Sequence, residues 1–329
     1  MSIWRPWGNI TWILDKLRID TWAFLGCLST EERCTAALPI FKDKLIKARL
    51  WQVDDPPSYY DNLAGERLKE RNRSLTTLNI NNYDVDHYHL FDRTDNIVHG
   101  CESFINNATN VALDITSFPK RFFFPLIHLI LSNGHVDNFI ITYTRANNYA
   151  VSISEDPDPV NNIPLFAPVL YPEPTTEMLF VGIGFDPLGL PEKFEHDLSS
   201  VSIKFLFPFP PGPPHFQRNW AFIRTLEKSL ARRGQPEIIR VNTWDISECF
   251  DHLASLTGGA KIYSEFAPYG PKPMSVAMCL FARLAKMPVF YTQPKAYNPD
   301  YSEGVKFSTN QPETYAYCIR LGGQDLFSI

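Results

Sequence analysis

The sequence predicts an α/β protein made of two fused Rossmann-like halves with mostly parallel sheets. Short apolar runs alternate with helical segments along the chain, which is the pattern of βαβ units. The runs are apolar almost throughout, as expected of strands that are covered on both faces of a sheet. The series of segments also occurs twice in the same order, which indicates an internal duplication.

The duplication is anchored on Pro119-Lys120 and Pro271-Lys272, each between an apolar strand and an apolar helix. Five strand-bearing segments of the first half match five of the second in order. The first-half segments are WAFLGCLSTEER (22–33), ARLWQVDDPPSYYDN (48–62), HYHLFDR (87–93), NVALDIT (110–116) and NFIITYT (138–144). Their counterparts are MLFVGIGFDPLGLPEKF (178–194), IKFLFPFPPGPPHFQRN (203–219), IIRVNTWD (238–245), AKIYSEFAP (260–268) and PVFYTQP (288–294).

The predicted boundaries follow from this alignment. Residues 1–153 form the first half, and residues 178–329 form the second half. The segment 154–177 is rich in proline and turn residues and is predicted to be a linker. Residues 315–327 predict a C-terminal β-hairpin around Gly322-Gly323.

Composition excludes several classes of function. A net charge of −5 argues against an extended nucleic-acid-binding face, which needs a basic surface. Neither a signal peptide nor an apolar run long enough for a bilayer is present. The six cysteines are scattered without a CxxC pair, so we expect free thiols in a cytoplasmic protein.

The two Pro-Lys segments are candidate anion sites. In parallel sheets, ligands bind at the carboxyl ends of strands, where helix N-termini favour negative charge. A lysine in the same turn adds a positive charge. The candidate residues are Thr116, Ser117, Lys120 and Arg121 in the first half, and Tyr269, Gly270, Lys272 and Ser275 in the second. The alternative is ordinary: proline is common at helix starts, and a surface lysine is usually solvated.

Glycines mark the first strand of each half. Gly26, Gly182 and Gly184 are predicted to let a ligand approach the backbone. The Pro-rich segment FPFPPGPPHFQRNW (207–220) is predicted to be a rigid loop over the sheet end, with Arg218 facing the pocket. An interaction patch is the alternative for this loop.

The segment APYGPKPMSVAMCLFA resembles the glycine–(Thr or Pro)–Lys–Pro–Met signature of CARF-type Rossmann domains. DITSFPKRFFF resembles the same signature in degraded form. CARF domains and the related SAVED domains, which are two fused CARF-like halves, sense cyclic oligonucleotides in prokaryotic antiviral defence. Pro119 and Pro271 stand where the signature usually has threonine, which puts one phosphate contact in doubt.

Enzymatic motifs are mostly absent from the sequence, which lacks a P-loop, a G-x-S-x-G elbow and spaced zinc ligands. We predict no metal site and no cofactor, and interpret His87 and His89 as a partly buried pair on one strand face. Asp114 and Glu265 are predicted at the same strand position in the two halves, near Lys120 and Lys272. Such carboxylate–lysine pairs allow acid–base chemistry but more often close loops.

The resemblance implies a nucleotide-sensing subunit of an antiviral defence system, which signals to a separate effector chain such as a nuclease or ATPase. Bases would stack on aromatic side chains at strand ends. Two alternatives remain open: an enzyme that cleaves its nucleotide ligand, as ring nucleases with CARF-like folds do, or a ligand-free scaffold subunit of a defence complex. We expect no membrane partner, and a homo-oligomer is possible.

Overall fold

The computed structural model describes residues 4–80, 82–169, 174–195, 201–210, 215–230 and 236–329. The chain divides into two compact units. The first comprises Met1–Asp156 and Pro294–Phe327, and the second comprises Pro157–Gln293 and Ser328–Ile329. The predicted second half, 178–329, therefore extends too far, because its C-terminal segment folds into the first unit.

The first unit begins with strands and helices in alternation. Two short 3₁₀ helices, Glu32–Thr35 and Leu38–Lys44, stand between its second and third strands. The elements up to the second unit are β1 (Trp7–Asn9), α1 (Ile10–Leu17), β2 (Trp22–Leu28), β3 (Leu45–Asp54), α2 (Asp61–Thr77), β4 (Tyr83–His89), α3 (Thr94–Ile105), β5 (Asn110–Asp114), α4 (Lys120–Ser132), β6 (Asn138–Thr144), β7 (Ala146–Tyr149) and β8 (Ser154–Pro157).

The second unit repeats the alternation, and the chain then returns to the first. The second-unit elements are β9 (Asn161–Asn162), β10 (Met178–Gly182), α5 (Leu190–Glu195), β11 (Ser202–Phe209), α6 (His215–Leu230), β12 (Glu237–Asn242), α7 (Ile246–Leu256), β13 (Ser264–Pro268), α8 (Lys272–Ala285) and β14 (Phe290–Tyr291). The returning elements are β15 (Pro294–Tyr297), β16 (Ser302–Val305), β17 (Phe307–Ser308), β18 (Gln311–Pro312), β19 (Thr314–Leu321) and β20 (Gln324–Asp325).

The two main sheets share one strand order. In the first unit the order is β1-β19-β6-β5-β2-β3-β4, and β6, β5, β2, β3 and β4 are parallel. In the second the order is β12-β11-β10-β13, all parallel, and a parallel bridge joins Phe266 of β13 to Val289, just before β14. Counted within each half, the first sheet runs 3-2-1-4-5, and the second runs 3-2-1-4 with its fifth segment joined by that single bridge. The predicted Rossmann-like architecture and its duplication are confirmed.

The C-terminal segment explains the shifted boundary. The predicted hairpin is present, since β19 and β20 pair antiparallel. Strand β19 also pairs antiparallel with β6 and β1, which extends the first sheet beyond its duplicated part. The predicted linker 154–177 is partly ordered, because β8 pairs with β15 and β9 with β14; residues 170–173 of it lie outside the described residues.

Apolar burial is the main stabilising force in both units. Strands β2 and β10 are buried along their whole length. Helix α8 is buried over ten consecutive residues, Pro273 to Ala282, so it lies inside its unit with every face covered. Among the described residues, no helix is long and apolar enough to cross a membrane.

Candidate functional site

Both Pro-Lys turns lie where the strand order of their sheet reverses. In a 3-2-1-4-5 sheet this switch falls between strands one and four, here β2 and β5, and β10 and β13. Open α/β sheets bind ligands in the crevice at the carboxyl ends of these two strands. The turns follow β5 and β13 directly, so sequence and topology select the same place.

The two turns have nearly the same backbone geometry. Pro119 precedes α4 with φ −60° and ψ 150°, and Pro271 precedes α8 with φ −54° and ψ 150°. Proline has no polar side chain, so it cannot cap the helix as Asn9 caps α1 or Asp245 caps α7. Lys120 and Lys272 are each the first helical residue and are half-buried.

In the first unit, the turn is held against its neighbouring strands. The Ser117 hydroxyl donates to the carbonyl of Cys27 in β2 at 2.7 Å. The Thr116 hydroxyl, which is fully buried, donates to Asp114 Oδ1 at 2.5 Å and accepts from the backbone N–H of Thr144 at 2.9 Å. Both hydroxyls were predicted to face a ligand. Instead, they join the carboxyl ends of β2, β5 and β6.

Arg121 also makes a contact that ties two strand ends together. Its guanidinium group donates to the carbonyl of Asp92, after β4, at 3.1 Å and lies 5.6 Å from the ring centre of Phe91. Of the two predicted cations in this turn, Arg121 is thus used to fix the loop that follows β4. Lys120, the first residue of α4, is half-buried in the same turn.

The role predicted for Gly26 is wrong. This residue lies inside β2, two positions before its end, and is buried. A Cβ atom here would lie 2.8 Å from the ring of Phe24 and 3.3 Å from Leu50. Gly26 therefore makes room for core side chains, and not for a ligand at the strand end.

In the second unit, three predicted glycines bring two backbone segments together. A Cβ atom on Gly184 would lie 2.0 Å from the carbonyl oxygen of Tyr269, and one on Gly270 would lie 3.2 Å from the carbonyl oxygen of Ile183. A Cβ on Gly182 would lie 3.3 Å from the backbone nitrogen of Gly270. These glycines let the loops after β10 and β13 touch, so they close the crevice that they were predicted to open.

Tyr269 and Ser275 point into the protein as well. The Tyr269 hydroxyl is 2.7 Å from the Thr292 hydroxyl and accepts from the Thr292 backbone N–H at 3.1 Å. Burial raises the pKa of Tyr269 above its ordinary value. The buried Ser275 hydroxyl donates to the carbonyls of Gly270 and Pro271, at 3.3 and 3.1 Å. Neither hydroxyl is presented to a ligand.

Arg218 contributes to an aromatic surface at the same end of the second sheet. Its guanidinium carbon lies 4.1 Å from the ring centre of Phe185, which follows β10. The neighbouring Asn219 donates to the carbonyl of Gly184 at 2.8 Å. Arg218 thus lies beside the predicted crevice, held by a cation–π contact. Residues 211–214 of the predicted Pro-rich loop lie outside the described residues.

The residues considered for catalysis are separated or occupied. Asp114 is the last residue of β5, whereas Glu265 is the second residue of β13, so they do not share a strand position. Glu265 accepts from the Thr176 hydroxyl at 2.8 Å and lies 3.8 Å from Lys193. No group of three His, Cys, Asp or Glu side chains suited to a metal ion occurs among the described residues. His87 and His89 share a face of β4 but are exposed, and not partly buried as predicted.

Sequence reasoning missed a buried ion pair beside the first crevice. Arg33, 1% exposed, binds Glu31 Oε2 through Nε at 2.9 Å and Nη2 at 2.7 Å. Its Nη1 donates to the Tyr143 hydroxyl at 3.1 Å, and its guanidinium lies 5.5 Å from the rings of both Tyr143 and Tyr149. Burial lowers the pKa of Arg33, but Glu31 and the tyrosines outweigh it and raise the pKa above the ordinary value. The only sequence signal was the three charged residues of STEER (29–33), directly after an apolar strand.

Comparisons with known proteins identify no family. No protein-family model and no curated protein matches the chain. Among solved structures, a universal stress protein from Archaeoglobus fulgidus matches with a TM-score of 0.25 and 10% identity, over 83% of this chain and 96% of that one. This overlap is too low for any argument about function.

Proposed function

We propose that this chain is a non-catalytic, nucleotide-recognising subunit of a prokaryotic antiviral defence system, similar to CARF and SAVED proteins. The observation that supports this most is the repeated Pro-Lys turn. It starts an apolar helix with the same backbone geometry at the switch point of both sheets. Signalling would pass to a separate effector chain, such as a nuclease or ATPase, in the cytoplasm.

The proposal assigns the phosphate contacts to Lys120 and Lys272. Each is half-buried at a helix N-terminus, where the backbone dipole and the ammonium group both favour an anion. Arg218, stacked on Phe185, would contribute a further cation in the second unit. The hydroxyls of Thr116, Tyr269 and Ser275 are left out of this site because each is engaged within the protein.

A ligand-free scaffold is the second candidate, and one observation favours it. Both crevices are bridged by protein contacts: Ser117 to the carbonyl of Cys27 in the first unit, and Gly184 against Tyr269 in the second. A scaffold would keep the fold and its partner surfaces while the sensor site stays closed. Turnover of the ligand has less support, because Asp114 is buried in contact with threonines and Glu265 is near Lys193.

Mass spectrometry of released small molecules separates these functions. The full chain is purified from phage-challenged cells and denatured, and its nucleotides are measured beside the Lys120→Ala/Lys272→Ala variant. A matched control, Lys16→Ala/Lys228→Ala, removes one exposed lysine from each unit and the same charge. A nucleotide recovered from wild type and control but lost from the first variant supports the sensor.

Other outcomes would change the proposal. If no sample contains a nucleotide, the scaffold becomes the favoured function in place of the sensor. Recovery of a linear, cleaved nucleotide from wild type, and of the intact cyclic form from an Asp114→Asn variant, would indicate an enzyme. Equal nucleotide content in wild type and Lys120→Ala/Lys272→Ala would place the ligand elsewhere and refute the assigned site.

A further inference from the structure

Strand β4 forms one edge of the first-unit sheet. Within the described residues it pairs with β3 alone, over seven residues in parallel register. Its side chains are partly or fully exposed along the whole strand, and Asp84, His87 and His89 are the most exposed. An exposed edge of this length is a template for another strand.

The backbone of β4 divides its hydrogen-bonding groups between two directions. Asn82 accepts from Ala48 of β3, and Leu90 donates to Asp54, so the even-numbered residues point towards β3. In a parallel pair the residues between them point away. Tyr83, Val85 and His87 therefore direct their N–H and C=O groups outwards. The next outward amide, that of His89, donates to the Asp92 carboxylate at 2.9 Å, which ends the edge.

A groove of about 600 Å³ runs beside this edge, between β4 and α3. Asn96, His99, Gly100 and Ser103 line it from one face of α3, and Val85 to Tyr88 line it from the strand. Its floor is fixed by packing: the Tyr88 ring stacks on Trp51 at 4.2 Å, and a Cβ on Gly100 would lie 2.0 Å from the Tyr88 hydroxyl. A strand edge next to a helix groove is the arrangement that binds extended peptides by strand addition.

The charge of this surface selects the peptide. Five carboxylates, Asp84, Asp86, Asp92, Asp95 and Glu102, belong to β4, α3 and the loop between them, and three arginines, Arg49, Arg93 and Arg121, lie beside or within these elements. Arg49 reaches into the groove from β3, but it is directed at Asp86, 3.5 Å away, and Ser103, 3.4 Å away. Basic side chains would therefore complement the edge, and acidic ones would be repelled.

We propose that the edge of β4 and the groove beside α3 bind an extended, basic segment of another protein, which adds to the sheet as a strand next to β4. The outward groups of Tyr83, Val85 and His87 would supply the backbone hydrogen bonds. Lysine or arginine side chains of the segment would face Asp84 and Glu102. This inference does not depend on nucleotide binding.

A second copy of this chain fits the edge poorly. A two-fold pairing of β4 with β4 centred on Asp84, Val85 or Asp86 places carboxylates of the two copies opposite each other. Like charges directly opposite in a sheet are destabilising. We therefore assign the edge to a different polypeptide, in keeping with a subunit that acts through a partner; dimerisation through β4 would overturn this choice.

Fluorescence anisotropy with two labelled octapeptides tests the proposal on the full chain. One peptide has four Val-Lys repeats and the other has four Val-Glu repeats. We expect the Val-Lys peptide to bind at least about tenfold more tightly. Asp84→Lys/Glu102→Lys should weaken its binding about tenfold, whereas Asp15→Lys/Asp43→Lys, which makes the same charge change at exposed residues of other elements, should change it less than about threefold.

A second pair of variants tests strand addition itself. His87→Pro removes an outward N–H and spares the ladder to β3, whereas His87→Ala removes the same side chain and keeps the N–H. We expect His87→Pro to weaken binding about tenfold relative to His87→Ala. Hydrogen exchange on the free His87→Pro variant checks that the β3–β4 ladder is intact.

Hydrogen exchange on wild type with the Val-Lys peptide should protect the amides of Tyr83, Val85 and His87. Equal affinity for the two peptides would overturn the charge argument. Unprotected amides, or equal affinity of the His87→Pro and His87→Ala variants, would overturn strand addition at this edge. These outcomes are independent of whether the protein contains a nucleotide, so they do not test the proposed sensor function.

Discussion

Replacing Gly184 with alanine tests whether the second crevice is closed by backbone contact. The new Cβ would lie 2.0 Å from the carbonyl oxygen of Tyr269 and 2.9 Å from its carbonyl carbon. An ordinary contact needs about 3.4 Å or more, so one of the two loops must move by over 1 Å. Tyr269 is held in place by Thr292 and by the rings of Tyr291, at 5.0 Å, and Phe222, at 6.1 Å.

We expect the Gly184→Ala variant to lose about 3 kcal/mol of stability in the second unit, the upper range for overpacking a filled core. The Asn219 bond to the Gly184 carbonyl would be strained in the same movement. Gly65→Ala is the control, because a Cβ there meets nothing within 4 Å. It lies inside helix α2 and should stabilise the first unit by about 0.5–1 kcal/mol.

Hydrogen exchange measured by mass spectrometry resolves the two units. In Gly184→Ala, exchange should rise in β10 and β13, while β2 and β5 keep wild-type protection. Urea unfolding followed by far-UV circular dichroism gives the free energies. If Gly184→Ala folds with wild-type stability and only ligand binding changes, Gly184 serves ligand approach, and our account of the closed crevice is refuted.

Three further predictions concern the buried polar groups. Arg33→Met should lower the free energy of unfolding in urea by about 3–5 kcal/mol, because the Glu31 carboxylate stays buried without the guanidinium group. Adding Glu31→Leu should restore part of this loss. Equal stability of the single and double variants would contradict the pairing. Thr116→Val should lower the free energy of unfolding by about 1–3 kcal/mol, because it leaves the Thr144 N–H without an acceptor. Thr76→Val, at an exposed position of α2, should lower it by less than about 1 kcal/mol. Similar losses in the two variants would refute the role of Thr116. All six cysteines are buried, and burial raises the pKa of Cys34 and Cys318 to about 12. At pH 8 iodoacetamide should therefore modify the native chain about a hundredfold more slowly than the unfolded chain. Because the thiols of the unfolded chain ionise at lower pH, the free energy of unfolding should also fall as the pH rises from about 9 towards 12.

The pattern of residues is enough to predict the architecture of the duplicated part. Alternating apolar strands and helices predict parallel sheets, because each strand must bury both faces and each crossover needs a helix. The matched Pro-Lys segments located the start of α4 and α8 correctly, since proline fixes its own backbone angle and is tolerated at a helix start. These are local properties, so they can be deduced from short stretches of residues.

The orientation of the candidate site residues could not be predicted from the sequence, because it depends on contacts between distant elements. Thr116, Ser275 and Tyr269 carry polar groups suited to a phosphate, yet each is satisfied by a partner that the fold supplies. Gly26 and Gly184 both lack a side chain, but the space is filled by the ring of Phe24 at Gly26 and by the Tyr269 carbonyl at Gly184. Which atom fills the space beside a glycine depends on the neighbouring element, and a single segment carries no information about it.

The position of the C-terminal segment also depends on tertiary contacts. Residues 315–327 predict a hairpin, and β19 and β20 form it. The edge of β6 was available to a further strand, so β19 pairs there and returns to the first unit. The pattern of residues determined that this segment is a strand. The free hydrogen-bonding groups of a sheet edge distant in sequence determined where that strand lies.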